Sequence, residues 1–299
     1  MSGGSPATGQ PVPAQLRAGA EALAAAGRAS PRVDAELLLA HLLGIQRGRL
    51  LLADPLSATQ QADYAELIRQ RCAGVPLQHL TGSAPFRHLL LAVGPGVFVP
   101  RPETELLLDL AADRLAGAGT VLDLGAGSGA IALAVAQEYP AARVIAVERS
   151  TAALAWLRRN AEARAAAGDR PIEVVAGDLA DPRLLAGSAG EVDVLLANPP
   201  YVPERIRDQL SVEVGHDPVE AVFGGPDGTS LLPALVATAA RLLRPGGWLA
   251  FEHDDSHAGQ LPGLLAGWRD VRGHQDLAGR PRFTSAVRAD RPGAARSRA

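Results

Sequence analysis

From Glu103 onward the chain alternates short apolar runs with longer stretches of helical period, and no other feature restricts its fold as much. Strands are expected at residues 120–124, 143–147, 172–175, 192–197 and 248–252. Helices are expected between them, for example at 130–138, 151–167 and 229–243. Runs that are apolar on both faces and joined by helical crossovers imply a buried, mostly parallel α/β sheet. Two more strands are expected around 270–274 and 282–288, joined only near Gly279-Arg280-Pro281. A parallel pair needs a long crossover, so this short connection predicts an antiparallel end to the sheet.

The chain before this region has a different character. Residues 13–76 read as a small helical bundle. Ser30-Pro31 is a helix start with proline at the first position, and Ser57 with Gln60 has capping-box spacing. Val33, Leu37, Leu38 and Leu42 are expected to share the buried face of one helix. Residues 77–100 change period, and the apolar stretch punctuated by Gly94, Pro95 and Gly96 predicts a short β-hairpin linker around a turn. The Gly-, Ser- and Pro-rich residues 1–12 and the tail 291–299 are expected to be disordered, which leaves 101–290 as the α/β domain.

Composition removes several chemistries. All 29 basic residues are arginine, so there is no lysine to form a Schiff base or hold a phosphate. The one cysteine, Cys72, cannot make an internal disulfide or a multi-cysteine metal site. It reads as a buried small hydrophobe. The formal net charge of -3 argues against a large nucleic-acid footprint. No secretory signal and no membrane-spanning run is evident, so a cytoplasmic protein is expected. His253, Asp254, Asp255 and His257 match no fixed ligand spacing, and no metal is expected.

The first expected strand of the α/β region runs into Gly125-Ala126-Gly127-Ser128-Gly129 and then an apolar helix. Such a turn needs glycine to bend tightly and to let a ligand approach the backbone. Glu148 closes the next strand and offers a carboxylate to the two hydroxyls of a ribose. Asp178 follows the third and can accept from the amine of an adenine. Three successive strand ends of this kind mark a nucleotide-type site. The Gly-x-Gly-x-Gly spacing favours S-adenosylmethionine over a dinucleotide. On the turn alone, a nicotinamide-dependent oxidoreductase remains the competing class.

The fourth strand ends in Asn198-Pro199-Pro200-Tyr201. The Asn198 side-chain oxygen and the Pro199 carbonyl are two acceptors, the second on a backbone stiffened by proline. Tyr201 supplies a flat apolar face. Two acceptors gripping both N–H bonds of a planar nitrogen can aim it at an activated methyl group, so orientation and electrostatics replace a strong base. Such a clamp suits an amide or an amine nitrogen alike.

With these motifs in view, the chain resembles the bacterial release-factor glutamine methyltransferases (the HemK/PrmC family) over residues 15–288. The resemblance is also carried by Pro76-Leu77-Gln78-His79-Leu80-Thr81-Gly82 and by Phe98-Val99-Pro100-Arg101-Pro102-Glu103-Thr104-Glu105. Phe223-Gly224-Gly225-Pro226-Asp227-Gly228, Leu243-Arg244-Pro245-Gly246-Gly247 and Asp276-Leu277-Ala278-Gly279-Arg280 complete it. It implies a Rossmann-like class I methyltransferase sheet with an antiparallel last strand, plus the N-terminal helical domain and hairpin. It also implies S-adenosylmethionine held at Gly125 to Gly129, Glu148 and Asn198. The substrate it implies is the glutamine of the Gly-Gly-Gln tripeptide of release factors, its amide gripped by Asn198 and Pro199. The helical domain would dock the release factor, and a monomer without stable nucleic-acid or membrane binding is expected.

Departures from the family pattern fall at Leu179, where some members carry an aromatic, at Val219 and at Asp254. Apolar contact from Leu179 is expected to replace adenine stacking. The alternatives are a glutamine methyltransferase of another protein, such as a ribosomal protein, and an adenine-N6 nucleic-acid methyltransferase. A third is a non-catalytic module that keeps a nucleotide fold.

Overall fold

The computed structural model describes residues 10–289, which fall into two units. One comprises residues 10–83 together with 211–216; the other comprises 84–210 and 217–289. Of the ends expected to be disordered, residues 1–9 and 291–299 lie outside the described residues. Order begins before residue 13. Gln10 bridges to Leu56, and Val12 is buried at the start of the first helix.

The first unit packs α1 (Val12–Ala25), α2 (Pro31–Leu43), α3 (Ala58–Cys72) and the short α4 (Leu77–Thr81). Leu16, Leu23, Leu38, Leu39, Leu56, Tyr64 and Ile68 form its core, with Cys72 half-buried beside them. α3 begins with the expected capping box. The Ser57 hydroxyl accepts from the Gln60 amide at 3.3 Å, and the Gln60 side chain accepts from the Ser57 amide at 3.0 Å. α2 begins at Pro31 as expected, but the Ser30 hydroxyl makes no capping bond.

The buried face of α2 differs from the expected one. Asp34, Ala35, Leu38 and Leu39 are buried, whereas Val33 is 37% exposed. The cause is electrostatic. Asp34 accepts from Arg71 at 2.7 Å, and both side chains are almost wholly covered. Arg71 also donates to Glu213 at 2.8 Å and to the Val75 carbonyl at 3.1 Å. A hydrophobic count treats Asp34 as a solvent-facing residue, while the ion pair draws it inward and rotates the helix with it.

A hairpin of β1 (Ser83–Phe86) and β2 (Leu89–Ala92) follows, lying in the second unit from Ala84 on. Its turn is Arg87-His88, not the expected Gly94-Pro95-Gly96. Arg87 takes a φ of 52°. It is held there by tertiary bonds: its amide donates to Glu105 at 3.0 Å, and its guanidinium forks onto Glu138 at 2.6 and 2.8 Å. The later glycines instead pass Trp156, whose indole donates to the Pro95 carbonyl at 3.3 Å.

Seven strands follow the hairpin, with helices between them: α5 (Glu105–Leu115), β3 (Thr120–Leu124), α6 (Ala130–Glu138), β4 (Arg143–Glu148), α7 (Thr151–Ala166), β5 (Glu173–Ala176), β6 (Val192–Ala197), α8 (Val219–Val222), α9 (Leu232–Leu242), β7 (Leu243–Glu252), α10 (Leu261–Leu264), β8 (Arg269–Gln275) and β9 (Pro281–Val287). The sheet order is β5-β4-β3-β6-β7-β9-β8. β3 to β7 are parallel where they pair, and β9 is antiparallel to both β7 and β8, as expected.

Strand alternation divides the core into two layers. Val121, Val144, Val194 and Ala250 face α5, α6 and α7, whose Leu107, Leu108, Ile131 and Leu157 cover them. Leu122, Ile145, Leu195 and Leu249 face the other way, under Leu235, Ala239 and Leu242 of α9. α9 and β7 start farthest from the residues expected. α9 begins after Thr229, whose amide and hydroxyl are drawn to the Asp227 carboxylate at 3.0 and 2.7 Å. β7 begins at Leu243, with a register shift opposite Val192 that accommodates Pro245 and the glycines after it.

Breaking a buried ion pair on one side leaves an uncompensated charge, at a cost of about 3–5 kcal/mol. Asp34→Ala leaves Arg71 only its half-exposed partner Glu213, so the loss is smaller than for a fully orphaned charge, and amide hydrogen exchange in α2 and α3 is expected to rise about tenfold or more. Exchange mass spectrometry on the full chain measures this, and unchanged protection of both helices would remove the pair's structural role.

Candidate active site

β3 has β4 on one side and β6 on the other, so the chain reverses its direction of travel across the sheet at β3. Open α/β sheets bind ligands in the crevice at the carboxyl ends of such strands. Gly125–Gly129, Glu148, Asn198 and Glu252 end β3, β4, β6 and β7 at that edge, and Asp178 lies just past the end of β5.

Gly125, Gly127 and Gly129 all have positive φ, at 80°, 57° and 91°. That conformation strains any residue bearing a β-carbon. The amides of Gly125 and Ala126 both donate to the Val147 carbonyl at 2.9 Å, tying the turn to β4. The Ser128 carbonyl accepts from Asn160 of α7 at 2.9 Å, and the Ser128 side chain is buried. A β-carbon added at Gly125 or Gly127 would meet no described atom within 4 Å.

Glu148 is buried and supports this turn. Its Oε2 accepts from the Gly127 amide at 2.9 Å, and its Oε1 accepts from the amides of Arg149 and Ser150 at 2.8 and 2.7 Å. A carboxylate has roughly four acceptor positions. Three are taken here by backbone amides, and acceptor capacity remains for a ligand. Asp178 closes a local turn: its carboxylate accepts from the Ala180 amide at 2.8 Å and pairs with Arg149 at 3.4 Å. Leu179 follows directly. Its side chain packs into the core beside Leu184, and its carbonyl accepts from Thr238 at 2.8 Å.

At the end of β6 four side chains are linked. Asn198 Nδ2 donates to Thr104 Oγ1 at 2.9 Å. Thr104 donates to Glu252 Oε2 at 2.7 Å, and the Tyr201 hydroxyl donates to Glu252 Oε1 at 2.6 Å. Among the described residues neither Asn198 Oδ1 nor the Pro199 carbonyl accepts a hydrogen bond. Burial pushes the Glu252 carboxyl above its usual range, against the two hydroxyls and the Arg282 charge. Burial and the Glu252 charge likewise raise Tyr201. Tyr201 is not simply the flat apolar surface expected, because Arg282 stacks over its ring at 5.7 Å and its hydroxyl is engaged.

The loop of Gly224 to Gly228 holds this backbone in place. A β-carbon on Gly224 would lie 2.5 Å from the Pro200 carbonyl, and one on Gly228 would collide with the Tyr201 carbonyl. His257 secures the loop through the Asp227 carbonyl at 2.8 Å. His253 is buried between Thr284 and the Asp254 carbonyl, at 2.9 and 2.8 Å. Asp254 caps the next turn through Ser256, and Val219 is exposed at the start of α8. Asp217 receives Arg101 and the Val99 amide, the latter at 3.2 Å, and so fixes the segment before α5.

Sequence reasoning missed three residues at this edge: Thr104, Asp123 and Glu252. Glu252 had a usable signal, since it is another acid at a strand end. Asp123 lies in β3 beneath the glycine turn, 1% exposed, and accepts from the Ala132 amide at 3.1 Å while its Oδ1 has no partner. Burial, opposed by that amide and reinforced by the Glu148 charge, pushes its carboxyl up to about 7. A buried carboxylate with an unpaired oxygen favours a cationic group over the turn. The positive-φ turn, the uncrowded backbone above it and these carboxylates fit the methionine and ribose ends of S-adenosylmethionine.

This fold and edge define an S-adenosylmethionine-dependent methyltransferase of the Rossmann-like class I type. Residues 14–82 match the PrmC N-terminal domain family, and residues 93–217 match the methyltransferase small domain family. A release factor glutamine methyltransferase of Mycolicibacterium smegmatis is 48% identical, covering 91% of this chain and 96% of its own. One of Streptomyces coelicolor is 46% identical, covering 92% and 98%. A methyltransferase structure from Pyrococcus furiosus shares the fold at 20% identity, with a TM-score of 0.51 over 68% of this chain and 91% of its own. The chain belongs to the release factor glutamine methyltransferase family.

The raised Asp123 carboxyl makes a signed prediction. A carboxyl whose folded pKa exceeds the unfolded value of about 3.9 contributes stability below that value and loses it as pH rises through the folded pKa. Without cofactor, the melting temperature of Asp123→Asn minus that of wild type should climb between about pH 4 and pH 7 and then level off. A difference independent of pH would show that Asp123 ionises normally.

Proposed function

We propose that this chain transfers a methyl group from S-adenosylmethionine to the side-chain amide nitrogen of a release-factor glutamine, in the Gly-Gly-Gln tripeptide that the family resemblance implies. The observation that carries the reading is the pair of uncommitted acceptors, Asn198 Oδ1 and the Pro199 carbonyl, beside the glycine turn. The primary amide of glutamine has two N–H bonds, one for each acceptor. Its lone pair is delocalised into its carbonyl, and gripping both hydrogens orients the nitrogen and favours its pyramidal, nucleophilic form.

When bound, S-adenosylmethionine supplies a methyl group activated by a sulfonium. The turn of Gly125, Ala126, Gly127, Ser128 and Gly129 would hold its methionine end, with Asp123 providing negative potential from below. Glu148 would accept from one ribose hydroxyl while continuing to brace the turn. Asp178 would meet the adenine amine with the acceptor capacity left beyond its turn. Asn198 and Pro199 would position the nitrogen, Pro200 would stiffen the backbone, and Tyr201 would line the site while anchored to Glu252. No general base is needed for the attack, since positioning and charge complementarity lower the barrier; the nitrogen gives up one of its two protons to solvent as the methyl is gained and a neutral thioether is left behind.

The reading takes the enzyme as a cytoplasmic monomer that binds no nucleic acid stably, consistent with its formal net charge of -3. Among the described residues no helix is long and apolar enough to cross a membrane. The helical unit would serve to dock the release factor.

Incubation with cofactor and a release factor, followed by peptide mass spectrometry, tests the substrate. One methyl on the Gly-Gly-Gln glutamine is the expected result; methyl on another protein, or on adenine in added DNA, would contradict the reading. Asn198→Ala should lower kcat by about 10²–10³, as for removal of one preorganised polar group. An unaltered kcat would sink the clamp.

A further inference from the structure

Thr104 stands at the N-cap of α5, where a threonine oxygen ordinarily accepts from the first free helix amides. It makes no such bond. Its side chain is buried and its oxygen is committed elsewhere, 2.7 Å from Glu252 Oε2 and 2.9 Å from Asn198 Nδ2.

With Glu252 ionised, the directions of these bonds are forced. An ionised carboxylate only accepts, so Glu252 takes the single hydroxyl proton of Tyr201 on Oε1 and that of Thr104 on Oε2. The Thr104 oxygen then has only lone pairs left. The Asn198 atom facing it must therefore carry hydrogen. The two arms of a planar amide diverge, so fixing Nδ2 on Thr104 leaves Oδ1 as the arm turned away from it. Without this constraint the two arms are nearly isosteric. A flipped Asn198 would offer N–H groups to a substrate nitrogen that itself presents N–H groups, setting donor against donor.

We propose that Thr104 and Glu252 are positioning residues for methyl transfer, a one-way relay of hydrogen bonds that locks the Asn198 amide with Oδ1 toward the substrate nitrogen. The inference rests on the reading of Asn198 and Pro199 as the amide clamp. Thr104 and Glu252 act through Asn198 and Tyr201 and have no assigned contact with substrate.

Protonation reverses the relay. A proton on Glu252 Oε2 would be donated to Thr104, releasing the threonine's own proton toward Asn198 and permitting the flipped amide. The groups facing Glu252 are the Tyr201 and Thr104 hydroxyls, Arg282 on β9 and Glu103 ahead of α5. Burial outweighs the hydroxyls and the arginine, and Glu103 adds to it, so the carboxyl titrates above its usual range. Activity should fall as pH drops and Glu252 takes up its proton.

Steady-state kinetics over pH, with a release factor and S-adenosylmethionine, compare wild type with Thr104→Val and Thr104→Ser. Thr104→Val should lose about tenfold or more in kcat, with KM for S-adenosylmethionine unchanged, and should lose the acidic limb governed by Glu252. Thr104→Ser keeps the hydroxyl and should restore both the rate and the limb. The relay is overturned if valine and serine behave alike, or if valine keeps the wild-type kcat. It is also overturned if valine acts only through weakened cofactor binding. A wild-type enzyme that leaves the glutamine unmodified would overturn the clamp reading itself, a result distinct from any difference among the variants.

Discussion

Parallel pairing around β3 is the constraint on which the rest of the second unit depends. Leu122 is paired with Ile145 on one side and Leu195 on the other, and Leu195 with Leu249 in turn. Side chains alternate between two buried layers, so a slip of one residue would exchange the layers and place each side chain against the wrong helices. The same register aligns the carboxyl ends of β3, β4, β6 and β7. The glycine turn, Glu148, Asn198 and Glu252 meet at one edge because their strands are locked in phase, although the sequence separates the first from the last by more than a hundred residues.

That edge concentrates carboxylates. Asp123, Glu148 and Glu252 are all buried, and each is stabilised differently. Glu148 receives three amides, Glu252 receives two hydroxyls with an arginine nearby, and Asp123 receives one amide and keeps one oxygen unpaired. A surplus of acceptors suits a cationic sulfonium cofactor and a substrate nitrogen that presents only N–H bonds. The absence of lysine from the whole chain is compatible with this chemistry, which asks for orientation rather than a titrating base.

Much of this was legible in the sequence, and what was not has specific causes. β3 and β6 were located to the residue because their apolar runs are bounded by polar or turn-forming residues. The glycine turn and Asn198 to Tyr201 were visible because their chemistry is local. Thr104 was not, since a threonine ahead of a helix reads as a cap; only the tertiary fold shows that its hydroxyl turns away to Glu252 and Asn198. The hairpin turn was misplaced because Arg87 outcompetes three glycine- and proline-rich residues through bonds to Glu105 and Glu138, far along the chain. The face of α2 was misread for a related reason: Asp34 is buried by a partner 37 residues away. In each case a polar contact of long sequence separation overrode a local pattern.

The central claim is that two carbonyl oxygens of this chain grip the substrate nitrogen. A crystal structure of the enzyme with S-adenosylhomocysteine and a glutamine-bearing release-factor peptide tests it most directly. The account requires the glutamine nitrogen within about 2.7–3.2 Å of both Asn198 Oδ1 and the Pro199 carbonyl, with Asn198 Nδ2 still on Thr104. A glutamine nitrogen bonded to neither oxygen, or an Asn198 amide turned with Nδ2 toward the substrate, would contradict it.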